Sequence, residues 1–266
     1  MLFEENHEGG ARIMQMTIIT GTTRGLGLEL VKGALALGQQ VISVARKQNT
    51  DLLEIAESAG SAFKHYNFDL SLVSEIGSLM DDIFSDFDPG LIQRAVLINN
   101  AGVVEPIGPF YQLEDHEVLE NVTINLVAPL MLAKHFGRHT RSLGNKAVIF
   151  NLSSGAGRNP VYGWNSYCVS KAGIDMMTRV IAHEEGLEGL QTVAFGPGVM
   201  DTAMQETIRK TDPRVFKELD RFLKLKSQNR LRSPADVADV VLRLLESGFE
   251  QGGIVSITDL EVKTND

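Results

Sequence analysis

Short aliphatic and β-branched runs alternate along this chain with longer stretches whose apolar residues recur every three or four positions. The runs at residues 16–20, 40–45, 62–67, 95–99, 146–152, 190–195 and 253–258 read as strands. Residues 26–37, 72–84, 115–140, 164–185 and 234–246 carry the helical period. Ser233 followed by Pro234 is an N-cap with proline in the first turn, a helix start with a physical cause. This alternation predicts βαβ units. The expected fold is therefore α/β, a doubly wound parallel sheet of about seven strands with helices on both faces. Residues 203–232 break the rhythm; they are charged, and helical over 214–226. Ligands in such folds sit beyond the carboxyl ends of the strands, so an insertion after the sixth strand is placed to act as a lid or pocket wall. The alternative is a surface excursion with no role.

Composition narrows the picture. The 266 residues are 43% hydrophobic and 22% charged, enough for one large core, and no Pro/Gly/Ser-rich linker divides them. Residues 16–266 are expected to form a single domain. Residues 1–15 hold three glutamates and no basic stretch leading into an apolar core, so a disordered extension is expected there, not a secretory signal. A net charge of -9 and a pI of about 5.2 argue against nucleic acid or an anionic membrane as partner. No apolar run approaches the ~20 residues of a membrane span. The lone cysteine, Cys168, excludes an internal disulfide and fits a reducing compartment, hence a cytoplasmic location. The six histidines show no metal-ligand spacing, and no metal is expected.

Candidate chemistry lies in two places. Tyr167 and Lys171 stand four residues apart, with Ser154 thirteen residues upstream. Four residues is about one helical turn, so phenol and ammonium share a helix face. A neighbouring ammonium favours phenolate, which predicts a lowered tyrosine pKa and a general acid for a carbonyl oxygen. Alone, the pair is equally an ordinary helix face. The second place is Gly21, Thr22, Thr23, Arg24, Gly25, Leu26 and Gly27, which follow the first strand and open the first helix. Glycines there permit a tight turn and close approach of a pyrophosphate to a helix N-terminus. The second strand ends in Arg46-Lys47, without the carboxylate that reads the ribose of NAD. Arg24 and Arg46 converging on a 2′-phosphate favour NADP(H) over NAD(H), the alternative being a solvated strand end.

Taken together these segments closely resemble the short-chain dehydrogenase/reductase family, which has a Rossmann fold. The likeness runs from about residue 16 to 258, with the motifs in family order and spacing. Besides the glycine loop it rests on Asp69-Leu70, Asn99-Asn100-Ala101-Gly102, Asn125, the set Ser154, Tyr167 and Lys171, and Pro197-Gly198-Val199 through Thr202. The resemblance implies that Asp69 and Leu70 bind adenine, that Asn100, Ala101 and Gly102 line the cofactor, and that Thr202 contacts the nicotinamide amide. Pro197, Gly198 and Val199 belong to the same cofactor segment. It further implies that Ser154 positions a substrate carbonyl, Tyr167 donates the proton, Lys171 assists it and binds the nicotinamide ribose, and Asn125 holds a relay water. The second half is similar to the sepiapterin reductase and bacterial benzil reductase branch, through residues 153–160, 163–168, 171–177 and 197–205.

That branch implies a ketone on a flat framework, a vicinal dicarbonyl or a pterin side chain, as the small-molecule substrate. Trp164 is then an aromatic wall or simple packing, and Met204 lines the pocket. Asp259 is a pterin anchor or a surface carboxylate. A 3-oxoacyl-thioester reductase of the same family and a non-catalytic NADP-binding regulator are the competing functions. Relatives pair through the two long helices, which implies a homodimer or homotetramer.

Overall fold

The interior strands are almost wholly apolar, which is what burial on both faces of a parallel sheet demands. A computed structural model describes residues 14–263. Strands β1 (Met14–Thr20), β2 (Gln40–Ala45), β3 (Phe63–Asn67), β4 (Ile92–Asn99), β5 (Ala147–Leu152), β6 (Gln191–Gly196) and β7 (Ile254–Ser256) form one sheet. Its order is β3-β2-β1-β4-β5-β6-β7, and every pair is parallel. The helices are α1 (Gly25–Ala36), α2 (Asp51–Ala59), α3 (Ile76–Ser85), α4 (Asp115–Val122), α5 (Ala128–Thr140), α6 (Asn165–Glu185), α7 (Ala203–Arg209), α8 (Leu219–Ser227), α9 (Pro234–Ser247) and α10 (Ile257–Lys263).

Strand periodicity splits the core in two. Val96, Ile98, Val148 and Phe150 point to the face covered by α1, α2 and α9. Ala95, Leu97, Ala147 and Ile149 point to the face covered by α3 and α5. A third cluster stands beyond the carboxyl ends of β4 to β6, where Ile208, Phe216, Leu219 and Phe222 of the α7–α8 segment meet Val104, Ala156, Trp164 and Tyr167. Strand order reverses between β1 and β4, and the crevice at that switch point lies between the loops leaving these two strands.

The elements depart from the sequence-based expectation in several places. Strand β4 starts at Ile92, three residues before the expected 95, and the helix expected over 214–226 begins only at Leu219, after the separate α7. Strand β1 begins at Met14, pairing with Ile92, two residues earlier than the apolar pattern predicts; residues 1–13 of the expected extension lie outside the described residues. Helix α2 was not expected; its apolar side is short, Leu52 and Ala56 with Ile55 at the margin, and Gly60 ends it in a left-handed turn. The expected strand over 253–258 stops at Ser256 because Ser256 and Asp259 cap one another and start α10. The expected helix over 115–140 is interrupted by a π-helical turn at Thr123–Val127. Pro129 has no N–H to donate to the Asn125 carbonyl, so the α-helical ladder cannot run through this turn.

Candidate active site

The loop after β1 is held by the loop after β4. The Thr20 hydroxyl accepts from the backbone N–H groups of Asn100 and Ala101, both at 3.0 Å. The Asn100 side chain donates back to the carbonyls of Thr20 at 2.8 Å and Gly21 at 3.2 Å. Gly21 and Gly25 adopt φ of 71° and 61°, a region that favours glycine. A Cβ on Gly27 would stand 2.2 Å from the Gly21 carbonyl oxygen and 2.5 Å from the Asn100 amide nitrogen, so no side chain fits there. Leu26 anchors the start of α1 in the core. Thr23 donates to the Lys47 carbonyl at 3.1 Å, tying the loop to the end of β2.

The crevice fits a dinucleotide. The N-cap of α1, Arg24, makes no side-chain capping bond, and no acidic residue lies in the first turn. That helix end therefore faces the crevice with its dipole available to an anion. Arg24 and Arg46 are both exposed. Asp69 follows β3; the Ser71 amide holds its carboxyl below the ordinary value, and the Arg46 charge acts in the same direction. Leu70 is buried behind it. From β6, Pro197-Gly198 turns the chain at φ 72° for Gly198, and the Val199 carbonyl accepts from the Arg232 amide at 3.0 Å. Thr202, the N-cap of α7, has its methyl 3.5 Å from where a Gly25 Cβ would be, so the β6 loop closes on the glycine loop.

The second group of residues converges on the same edge of the sheet. Lys171 is buried, and its Nζ donates to the Leu152 carbonyl at 2.7 Å. It lies 5.7 Å from the centre of the Tyr167 ring. A Cβ on Gly102 would meet Asn125 Oδ1 at 3.0 Å and Lys171 Nζ at 3.9 Å, which puts these two side chains beside the β4 loop. The Asn125 amide is engaged at both ends by Val103, accepting from its N–H at 2.9 Å and donating to its carbonyl at 2.7 Å. The Ser154 hydroxyl accepts from the Ala156 N–H at 3.2 Å and faces Tyr167.

The expected lowering of the tyrosine is not what the structure has. Burial pushes the Tyr167 phenol up to about 12, with the Ser154 hydroxyl acting in the opposite direction. Burial pushes the Lys171 ammonium down to about 8, opposed by the Asp175 carboxylate. Loss of water is the largest cause at both groups and outweighs the Ser154 hydroxyl at one and the Asp175 carboxylate at the other. The phenol is protonated at neutral pH, the form a proton donor needs, and burial makes it a weaker acid than an ordinary tyrosine.

On the outer side, the Trp164 face stacks on Phe216, with centroids 5.4 Å apart and planes at 13°. Its edge meets Tyr167 at 5.4 Å, and Phe222 lies 5.5 Å away. Trp164 is buried in this aromatic cluster, which Met204 also joins. Asp259 is exposed after β7, where its carboxylate accepts from the Ser256 N–H at 2.9 Å.

Two polar residues that the sequence reading passed over are built into the site. Asn121 is fully buried and donates to the carbonyls of Glu105 at 2.6 Å and Val103 at 3.3 Å, while its oxygen accepts from Asn125 at 3.0 Å. Asp175, also buried, accepts from Ser153 and from Arg158. The signal for each was a spacing of four: Asn121 before Asn125, and Asp175 after Lys171, on helix faces otherwise committed to the interior.

A doubly wound sheet with a glycine loop at its switch point, and a buried Tyr/Lys pair at the carboxyl edge, defines an oxidoreductase of Rossmann type. The short chain dehydrogenase pattern matches residues 15–213, and the chain belongs to that family. It is 39% identical over 249 residues to a benzil reductase ((S)-benzoin forming) of Bacillus cereus, covering 92% of this chain and 100% of that protein. It is 29% identical over 267 residues to the sepiapterin reductase of Rattus norvegicus, covering 95% of this chain and 100% of that protein. Among solved structures, the KRED1-Pglu enzyme superimposes with a TM-score of 0.80 at 27% identity, over 91% of this chain and 100% of that one.

Proposed function

We propose that this chain is an NADPH-dependent carbonyl reductase acting on one ketone of a flat vicinal dicarbonyl, or of a pterin side chain. The observation that carries the reading is the protonated, buried Tyr167 phenol set between Ser154 and the Lys171 ammonium at the edge of the crevice. The likeness to benzil and sepiapterin reductases supports the substrate class. Nicotinamide, when bound, supplies the hydride. Gly21, Gly25 and Gly27 with the α1 N-terminus hold the pyrophosphate, Arg24 and Arg46 a 2′-phosphate, Asp69 and Leu70 the adenine, and Asn100 to Gly102 and Pro197 to Thr202 the nicotinamide half.

Ser154 hydrogen-bonds the substrate oxygen, and Tyr167 transfers its proton to that oxygen as the carbonyl carbon is reduced to an alcohol. Donors prepositioned where negative charge develops act mainly on the transition state. The Lys171 ammonium stabilises the phenolate left behind, and Asn125 braces the Val103 segment that borders the site. The α7–α8 segment serves as the lid, with Trp164 and Met204 as an apolar wall and Asp259 as the contact for a pterin amino group.

Exposed Leu119, Leu130, Val169, Met176 and Val180 on α4, α5 and α6 support pairing of copies through these helices, as a homodimer or homotetramer. The lone, half-buried Cys168 supports a cytoplasmic location.

The test is oxidation of NADPH and of NADH, in parallel, with benzil, sepiapterin and an acetoacetyl thioester as acceptors. The expected result is turnover of benzil or sepiapterin with NADPH preferred, and a loss of about 10- to 100-fold in that preference on Arg46→Ala. A preference for NADH overturns the cofactor reading. Faster turnover of the thioester than of either flat ketone overturns the substrate reading.

A further inference from the structure

Three residues at four-residue intervals on α6 each address one of three consecutive residues at the end of β5. Lys171 Nζ donates to the carbonyl of Leu152 at 2.7 Å. Asp175 accepts from the hydroxyl of Ser153. Tyr167 faces the hydroxyl of Ser154. One stripe of the helix thus grips the strand end at three points. Asp175 does more than the geometry of the stripe requires. It is a carboxylate 5% exposed, and its second oxygen accepts from Arg158 Nη1 at 3.4 Å. Arg158 stands four residues after Ser154, so the segment leaving the strand is tied back to the helix at the same carboxylate. Between the two ends of that loop, Gly157 lies flat on the Lys171 backbone, where a Cβ would come within 2.8 Å.

A buried carboxylate is costly unless paired, and a serine hydroxyl in its place would hydrogen-bond Ser153 without charge. The charge has an electrostatic recipient one turn away. The ionisable groups around Lys171 are Tyr167 and Asp175 on its own helix and, beyond Asp175, Arg158 from the segment after β5. Asn125 from the π-helical turn and the Leu152 carbonyl are neutral. Asp175 is the group whose charge favours the Lys171 ammonium.

We propose that Asp175 is a positioning residue of the active site, which fixes the Ser153-Ser154 segment against α6 and supplies the balancing charge for the Lys171 ammonium, with Arg158 moderating that charge. The inference rests on the reductase reading above, in which Lys171 acts as a cation and Ser154 as a substrate ligand.

The two neighbours make opposite predictions. Asp175→Asn keeps the shape and removes the negative charge, so Lys171 loses its proton at lower pH. Arg158→Met removes a positive charge, so Lys171 keeps its proton to higher pH. In the pH profile of kcat, the alkaline limb is expected to move down by about one pH unit in Asp175→Asn and up by a smaller amount in Arg158→Met. The neutral amide loses the Arg158 contact and holds the Ser153 hydroxyl more weakly, so the looser Ser153-Ser154 segment is expected to lower kcat of Asp175→Asn by about 10- to 100-fold, with the KM for NADPH changed less than about threefold.

A readout free of turnover accompanies these. In urea denaturation of the cofactor-free protein, the pH at which wild-type stability begins to gain on that of Lys171→Met is expected to fall when both proteins also carry Asp175→Asn. Limbs that stay put or move together in the two variants, with that denaturation crossover unchanged, overturn the proposal. Tyr167→Phe is run alongside. If it retains turnover within a few-fold of the parent, the reductase reading fails. If it is inactive while Asp175→Asn behaves as the parent, only the Asp175 inference fails. Should Asp175→Asn not fold, an upward limb in Arg158→Met upholds the proposal and an unmoved limb overturns it.

Discussion

Replacing Lys171 with methionine should make the cofactor-free protein more stable while abolishing its activity. Lys171 is buried, and burial pushes its ammonium down to about 8 from an ordinary 10.5. That gap corresponds to about 3 kcal/mol, at about 1.4 kcal/mol per tenfold change in proton affinity. Methionine fills a similar volume without charge, but the Leu152 carbonyl loses its side-chain donor, which costs about 1 kcal/mol. The net expectation at pH 7 is a gain of about 2 kcal/mol, or roughly 4 °C in Tm for a chain of this length.

The pH dependence carries a definite sign. Below about 8 the folded and unfolded chains both hold the proton, and the full penalty is present in the wild type. Between about 8 and 10.5 the unfolded chain holds a proton that the folded chain has released, so wild-type stability rises with pH across that window. Lys171→Met lacks this contribution. The advantage of the variant in urea midpoint, measured at matched protein concentration, should therefore be largest near pH 7, shrink as pH rises and vanish near about pH 10, above which the wild type is the more stable. A variant no more stable than wild type at pH 7, or a difference of equal size at pH 7 and pH 10, would refute the reasoning. The expected outcome is a site that accepts instability in order to keep a cation.

Three further substitutions probe other parts of the molecule. Tyr167→Phe should lower turnover by at least about 100-fold and leave the NADPH dissociation constant, read by cofactor fluorescence, within about twofold of wild type. Gly27→Ala places a methyl 2.2 Å from the Gly21 carbonyl oxygen, backbone that cannot swing aside, and should destabilise the fold by about 2 kcal/mol in urea and remove dinucleotide binding. Ser233→Ala deletes the bond that the Ser233 hydroxyl accepts from the Asp236 N–H at 3.0 Å, and should cost about 1 kcal/mol in thermal denaturation without changing kcat.

Much of the fold was legible because the interior strands carry a nearly continuous apolar signal. Ala95 to Asn99 and Ala147 to Leu152 stand out wherever they are read. Helix α6 was legible for the same reason, and Tyr167 and Lys171 with it, since a spacing of four is a local property. What escaped depends on partners distant in sequence or on small local choices. The turn at Asn125 needs Pro129 and the backbone of Val103, twenty-two residues away, to be considered together. The end of β7 is set by the Ser256 and Asp259 pair, whose capping signal competes with a β-branched run. The raised Tyr167 phenol is a consequence of how tightly the aromatic cluster closes over it. Spacing tells which groups are neighbours but not how much water remains between them.

That aromatic cluster also limits how the protein can be retuned. Phe216 and Phe222 lie against Trp164, and Trp164 lies edge-on against the ring of Tyr167. On the proposed reading, in which this cluster also forms the outer wall of the crevice, the same residues exclude water from the phenol. Enlarging that wall for a bulkier ketone rehydrates Tyr167 and makes it a stronger acid in the same stroke. On that reading substrate range and acid strength are coupled, and selection for one is expected to move the pH optimum set by the other.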